Sequence, residues 1–274
     1  MRRPTNKSRG FTMVELVVSM VITSIVVGFI GMMIVTPVDA YVSQARRGEL
    51  SDSAETAMRR IAVDVRGALP DSLRAGVIGG ARTLDMIEVS AAADYRTWTT
   101  GESLTIGDAG DRFDMAAVQR PTPLRPLSRM VVGHGVVGST FSVYRPTSGV
   151  ITPETLSVTH PSAQRFELSA PFTFPQQSPN RRAYFVVGVT RYSCDTANGV
   201  LRRYEGVAIE EFMNPTSAVS TIIARDVTEC SFRTWDSAND HGGLAIVEMT
   251  VSRMTEGNTE RLRVVRQLKV ENRP

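Results

Sequence analysis

The sequence predicts an α+β protein in which a long N-terminal helix, membrane-spanning in its first half, packs on an antiparallel β-sheet domain. An uncharged run of twenty residues, from Leu16 to Val35, follows Glu15. Apolar residues then recur at helical spacing as far as Leu69, and short alternating runs replace them from Leu84 onward. The predicted segments are a basic leader (1–10), a membrane helix (11–36), an amphipathic helix (37–69) and an extracytoplasmic β-rich domain (70–274).

The first ten residues form a basic leader. They contain Arg2, Arg3, Lys7 and Arg9 and no acidic residue. Without them the chain has 27 basic and 28 acidic residues, a net charge of −1, so its pI near 9.1 does not indicate a basic domain. Positive charge before an apolar run is typical of membrane topology, with the basic end held in the cytoplasm. The sequence therefore predicts contact with a lipid bilayer and none with nucleic acid.

The apolar run from Phe11 to Val35 is 25 residues long, and about 20 are enough to cross a bilayer. A secretory signal peptide is the alternative, but its apolar region has roughly 7–15 residues and ends at a small-residue cleavage site. Glu15 is unusual here, because a carboxylate inside a membrane helix costs on the order of 3 kcal/mol. Two explanations stay open: a functional role with a charged partner, or a position at the interface among lipid headgroups.

The segment Gly10-Phe-Thr-Met-Val-Glu-Leu16, after its basic leader, resembles the class III signal of type IV pilins and pseudopilins. The resemblance implies that prepilin peptidase cleaves between Gly10 and Phe11 and that Phe11, the new amino terminus, is N-methylated. It also implies that Glu15 pairs with the terminal amine of a neighbouring subunit during assembly, since two charges that are costly alone in lipid are tolerated as a pair. Met13 is a departure, because the family usually has Leu or another aliphatic residue there.

The second helical segment begins after Pro37, which we expect to kink the first helix or to end it briefly. Charged residues then alternate with an apolar stripe, so the segment predicts an amphipathic helix with one buried face. It is expected to end at Leu69, because the following Pro70 disfavours a helical residue before it. The stripe consists of Leu50, Ala54, Ala57 or Met58, Ile61, Val65 and Leu69.

The remainder predicts antiparallel strands, with the clearest alternation in the last two and a hairpin turn at Thr255-Glu-Gly-Asn258. The segment Ala91 to Pro126 shows little periodicity and is predicted to form long loops at a sheet edge. The predicted strands are Leu84–Ser90, Arg129–Val137, Thr140–Tyr144, Thr155–Thr159, Arg165–Leu168, Ala183–Tyr192, Gly199–Tyr204, Val227–Trp235, Leu244–Arg253 and Arg261–Val270.

The two cysteines, Cys194 and Cys230, are predicted to form a disulfide. A translocated domain meets an oxidising compartment, where two thiols in one domain pair readily. Two unpaired structural thiols are the alternative. A metal site is disfavoured, because the cysteines have no histidine at ligand spacing.

The C-terminal third resembles minor pilins of the MSHA-type biogenesis group, in stretches 187–195, 198–204, 222–233, 243–251 and 267–274. This resemblance implies a minor pilin acting in filament assembly or initiation, without a cofactor. The implied partners are other pilin or pseudopilin subunits, prepilin peptidase and an inner-membrane assembly platform. The implied location is the bacterial inner membrane, with a single span and a periplasmic domain, and then the pilus or pseudopilus.

Catalysis is not indicated by the sequence. His134, His160 and His241 are isolated, and no serine or cysteine lies in a nucleophile motif. We therefore predict a structural protein without a catalytic or metal site. Two alternatives to a minor pilin remain: a type II secretion pseudopilin, which shares the leader and the helix, and a tip adhesin that binds a glycan or surface through Ala91–Pro126.

Overall fold

A computed structural model of the protein describes residues 10–96, 102–119, 129–162, 164–209, 218–237, 240–255 and 258–271. In these ranges one α-helix, α1 (Met13–Arg66), precedes twelve β-strands, so the predicted α+β class is confirmed. The chain divides into two compact units, Met1–Glu49 and Leu50–Pro274. The boundary lies within α1, and the residues of α1 from Leu50 onward belong to the second unit.

The twelve strands form two antiparallel sheets. The larger has the order β5-β6-β3-β2-β7-β8-β9, with β1 paired to β2 and β4 paired to β7. The smaller has the order β10-β11-β12. The strands are β1 (Arg74–Ile78), β2 (Ala81–Tyr95), β3 (Ala109–Gln119), β4 (Arg129–Val132), β5 (Val158–Ser162), β6 (Arg165–Thr173), β7 (Arg182–Asp195), β8 (Val200–Val207), β9 (Val219–Arg225), β10 (Val227–Ser237), β11 (Asp240–Thr255) and β12 (Asn258–Lys269).

Helix α1 is 54 residues long and continues through position 37, so the expectation that Pro37 ends the helix is wrong, and a kink there stays a prediction. A proline removes only its own N–H from the helical ladder, and the hydrogen bonds of the neighbouring turns can sustain the helix across one missing bond. The helix ends at Arg66, three residues before the predicted Leu69. Gly67 disfavours continuation, and the Leu69 N–H donates instead to the Ile87 carbonyl at 2.9 Å.

The second unit contains the hydrophobic core. Among the described residues, the buried apolar side chains begin at Leu50. The predicted stripe of α1, from Leu50 to Val65, is buried against β2, β7 and β8 of the larger sheet and β10, β11 and β12 of the smaller one. A fragment without residues 1–36 therefore keeps every buried apolar side chain that the structure describes, and we expect it to fold on its own.

A polar row crosses the larger sheet at Asp85. In the strand register Asp85 lies opposite Arg74 of β1 on one side and Arg191 of β7 on the other. Arg191 donates two hydrogen bonds to the carboxylate, at 2.7 and 3.0 Å, and Arg74 pairs with the same group. Both Asp85 and Arg191 are almost completely buried. Hydrogen-bonded pairing is what makes a buried carboxylate tolerable.

Asp64 joins α1 to the larger sheet. Its Oδ2 atom accepts hydrogen bonds from the Tyr192 hydroxyl of β7 and the Arg203 Nε of β8, both at 2.5 Å. Burial, and then the neighbouring Asp64 carboxylate, raises the pKa of Tyr192, so the phenol stays protonated and donates. The side chain of Arg203 is 7% exposed. This guanidinium is compensated by Asp64 and by Glu205, with which it also forms an ion pair.

We expect Asp64→Asn to lower the free energy of unfolding by about 2 kcal/mol, because the buried Arg203 loses one of its two carboxylate partners and the Tyr192 hydroxyl loses a charged acceptor. Urea denaturation of the fragment without residues 1–36 measures this loss. Asp52→Asn is the matched control, since Asp52 lies on the exposed face of the same helix. The control should change stability by less than about 0.5 kcal/mol, and an equal loss in both variants would contradict a specific role for Asp64.

The prediction of loops from Ala91 to Pro126 is wrong in part. Strand β2 continues to Tyr95, and β3 lies between β2 and β6; residues 97–101 and 120–126 lie outside the described residues. The sequence of β3 does not predict a strand, because its alternation of buried apolar and charged residues is short. It is limited to Phe113 and Met115 and the charged residues beside them. The predicted strand Thr140–Tyr144 is also wrong, since those residues form turns.

Gly133 explains why the predicted strand Arg129–Val137 stops at Val132. The residue has a φ of 67°, and a Cβ atom placed on it would lie 2.0 Å from the carbonyl oxygen of Gln176. Only glycine can take this conformation at such a close backbone approach. The chain turns away from the sheet at this point.

Candidate assembly and processing segment

The residues predicted for processing and assembly lie together at the start of α1. Gly10 and Phe11 precede the helix, which begins at Met13. Phe11 is 72% exposed, and no described atom lies within 4 Å of a Cβ placed on Gly10. The peptide bond between these two residues therefore lies outside helical hydrogen bonding and is accessible within the described part of the chain. Accessible, non-helical backbone is what a peptidase requires at its cleavage site.

Thr12 caps the helix. Its side-chain Oγ1 accepts a hydrogen bond from the Glu15 N–H at 3.3 Å, and its carbonyl accepts one from the Leu16 N–H at 3.2 Å. This is the N-cap geometry, and the Thr-x-x-Glu spacing is that of a capping box. The sequence analysis missed this role for Thr12, although the spacing alone could have indicated it.

The Glu15 carboxylate lies in the first turn of α1 and is exposed. No residue within the described ranges donates a hydrogen bond to it or forms an ion pair with it. The first turn of a helix favours a negative charge, because the backbone N–H groups there have no helical acceptor. This position lowers the cost of the charge and leaves the carboxylate oxygens able to bind an external cation or amine.

The following stretch, Met13–Met33, is long and apolar enough to cross a membrane and has no buried residue. Its 21 residues would extend for about 31 Å, close to the thickness of a bilayer core. Its length and composition make this stretch a candidate membrane span. A signal sequence near the N-terminus has the same length and composition.

The hydroxyl groups of this stretch are satisfied within the helix. Ser19 donates to the Glu15 carbonyl, Thr23 to the Ser19 carbonyl and Ser24 to the Met20 carbonyl, at 2.7, 2.7 and 2.8 Å. Such bonds to the preceding turn let hydroxyl side chains enter an apolar environment without an outside partner. Between residues 10 and 33, the Glu15 carboxylate is therefore the strongest polar group without a bond inside the helix.

The predicted disulfide is confirmed and lies in the second unit. Cys194 of β7 and Cys230 of β10 are bonded, with their Cα atoms 6.3 Å apart and 36 positions apart in the sequence. Both cysteines belong to the core that α1 shares with the two sheets. The bond links the larger sheet to the smaller one and is structural.

His134 and His160, the two histidines whose side chains the structure describes, do not converge on a site. His134 Nε2 lies 2.8 Å from the Pro70 carbonyl, and the ring of His160 packs on Phe166 at 4.4 Å. The side chain of His241 lies outside the described residues. Within the described ranges, no group of three or more His, Cys, Asp or Glu side chains could hold a metal ion.

Comparison with known families gives one match, confined to the N-terminus. The model of the prokaryotic N-terminal methylation motif matches residues 5–31, which include Gly10, Phe11 and Glu15. No curated protein and no solved structure matches the chain. The motif supports a type IV pilin-like or pseudopilin-like protein, and with the single apolar helix it fits a single-pass inner-membrane anchor.

Proposed function

We propose that this protein is a minor pilin, a structural subunit that prepilin peptidase cleaves after Gly10 and methylates at Phe11. The observation that carries the proposal is the methylation motif at residues 5–31 on a helix whose apolar surface is exposed. An exposed apolar surface of this length needs lipid before assembly and neighbouring helices afterwards. A filament core built from such helices supplies the second environment.

Glu15 gives the proposed assembly its specificity. Its carboxylate lies four residues from Phe11, at the apolar end of the chain that cleavage would create. The new terminal amine of one subunit is a cation that a neighbour's Glu15 can bind, and pairing reduces the cost of both charges in lipid. The proposed partners are thus other pilin subunits, the peptidase and the membrane platform that assembles them.

The choice of a minor pilin over a type II secretion pseudopilin rests on the C-terminal resemblance to MSHA-type minor pilins, in strands that include β7, β8 and β10–β12. Both classes share the N-terminal motif. Tyr95 and Phe113, the two described aromatic residues of the segment assigned to glycan contact, are buried in the core and so do not favour the tip adhesin.

The mass of the N-terminal peptide tests the proposal. In membranes from cells with prepilin peptidase, we expect a peptide that begins at methylated Phe11; in cells without the enzyme, the chain should begin at Met1. Gly10→Leu is the matched variant, since a large side chain at the cleavage site should block processing while the span stays intact. An uncut Met1 terminus in both strains would overturn the proposal and leave an anchored domain.

A further inference from the structure

Strand β12 is an edge strand with one open side. It pairs with β11 alone, in an unbroken register from Leu244↔Lys269 to Thr255↔Asn258. From Arg261 to Leu268, no backbone group hydrogen-bonds to a described residue on the side away from β11. Every second residue of an antiparallel edge strand directs its N–H and C=O groups outward. Such a row is a template for one more strand.

The other strands at the ends of the two sheets are less suitable as templates. Strand β5 contains Pro161 and shifts its register between Thr159 and Ser162. The pairing of β9 with β8 shifts between Leu201 and Arg202, and that of β10 with β11 shifts twice. Proline and irregular register are common means of protecting a sheet edge. Strands β1 and β4 also pair with one strand each in a continuous register, but they have only five and four residues. Strand β12, with 12 residues, is therefore the longest described edge with a continuous register.

The inner face of β12 leaves the core open at this edge. Leu262 and Val264 pack against the core but are only half-buried. Their partners on β11, Val251 and Met249, are each 1% exposed. The core is therefore closed over β11 and, on β12, over Leu268, but it is incomplete at Leu262 and Val264. An added strand with apolar side chains on this face would cover Leu262 and Val264.

The outer face of β12 is basic. Arg261 and Arg263 project there and pair with Glu229 and Glu248, each at 2.6 Å, but the arginine side chains remain 57% and 63% exposed. A guanidinium has five N–H donors, so one ion pair leaves donors for further carboxylates. Among the side chains that the structure describes, the ionisable residues of this face of the smaller sheet are Arg233, Arg261, Arg263, Lys269, Glu229 and Glu248, an excess of two positive charges.

We propose that β12 binds an extended acidic segment of another protein as a fourth strand of the smaller sheet. The segment alternates carboxylates, which bind Arg261 and Arg263, with apolar side chains, which cover Leu262 and Val264. Side chains of a strand alternate between its two faces, so one sequence pattern satisfies both sides of β12. The proposal does not depend on cleavage at Gly10.

The test uses the full-length protein in detergent micelles and a short fluorescent peptide of alternating glutamate and valine. We expect saturable binding, measured by fluorescence anisotropy. A peptide of alternating lysine and valine should not bind, because it lacks carboxylates. The glutamate–valine peptide N-methylated at every residue should not bind either, because it keeps every carboxylate and loses the backbone donors of both edges.

Charge reversal locates the site on β12. We expect Arg263→Glu to weaken binding of the glutamate–valine peptide by at least about tenfold, and Arg263→Gln, which disturbs Glu248 less, to weaken it to a smaller extent. Arg112→Glu is the matched control, because Arg112 is 56% exposed and pairs with Glu167 across β3 and β6. Equal binding of the N-methylated peptide, an equal loss in the control, or no saturable binding of any peptide would overturn the proposal.

Discussion

We expect the Glu15→Ala protein to be cleaved and methylated normally but to enter filaments about a hundredfold less than the wild type. In the proposed pathway, cleavage after Gly10 precedes contact between subunits, so it does not need the carboxylate. Assembly does, because an unpaired terminal amine in an apolar helix bundle costs on the order of 3 kcal/mol, and this energy corresponds to roughly a hundredfold change in an equilibrium. Immunoblots of sheared filaments and membranes give the ratio.

Two further variants separate the charge of Glu15 from its place in the helix cap. Glu15→Gln keeps the capping-box pattern but removes the charge, so it should fail in assembly as Glu15→Ala does. Thr12→Ala removes the cap hydrogen bond and keeps the carboxylate; it should assemble almost normally, since the membrane supports the helix. Assembly of Glu15→Gln at the wild-type level would show that capping, and not charge pairing, is the function of Glu15.

The second large effect is on stability. We expect replacement of both Cys194 and Cys230 by Ala to lower the free energy of unfolding of the fragment without residues 1–36 by about 4 kcal/mol, the chain-entropy estimate for a loop of this length. This is a large part of the roughly 5–15 kcal/mol that stabilises a typical domain. Urea denaturation under oxidising conditions measures it.

A reducing agent provides the control for this experiment. It should shift the denaturation midpoint of the wild-type fragment towards that of the cysteine variant, and it should leave the variant unchanged. The variant should also have a larger dependence on urea, because its unfolded chain is less compact. Equal stability of the two proteins without reductant would show that the bond does not stabilise the domain.

Residues with a regular pattern made much of the fold predictable. The stripe from Leu50 to Val65 lies at helical spacing and is buried, and the alternation in β11 and β12 predicts their hairpin. Strands β1 and β3 could not be found in this way, because β1 has five residues and β3 alternates over only a few. The conformation of β1 depends on its pairing with β2, and that of β3 on its pairing with β2 and β6. A short stretch of sequence does not indicate which strand will pair with it.

The candidate site was predictable to a different degree. Gly10, Phe11 and Glu15 are neighbours in the sequence, so a linear pattern identifies all three. The cluster of Asp64, Tyr192 and Arg203 joins residues more than a hundred positions apart, and only the folded chain brings them together. The sequence could not predict the open side of β12 either, because an edge strand is defined by the order of strands in the sheet and not by its composition.

The hydroxyl groups that donate to carbonyls within α1 affect how neighbouring copies of this helix can align along their axes. The hydroxyl groups of Ser19, Thr23 and Ser24 donate to backbone carbonyls of their own helix. Two neighbouring copies of this helix could therefore shift along their axes without breaking a hydrogen bond from these hydroxyls. Each dispersion contact between apolar side chains is weak, so such contacts specify the displacement less sharply than a charge pair does. In the proposed filament, the pairing of one carboxylate with a neighbour's amine fixes the axial register of the two helices. The position of Glu15 along the helix then sets the axial step between subunits.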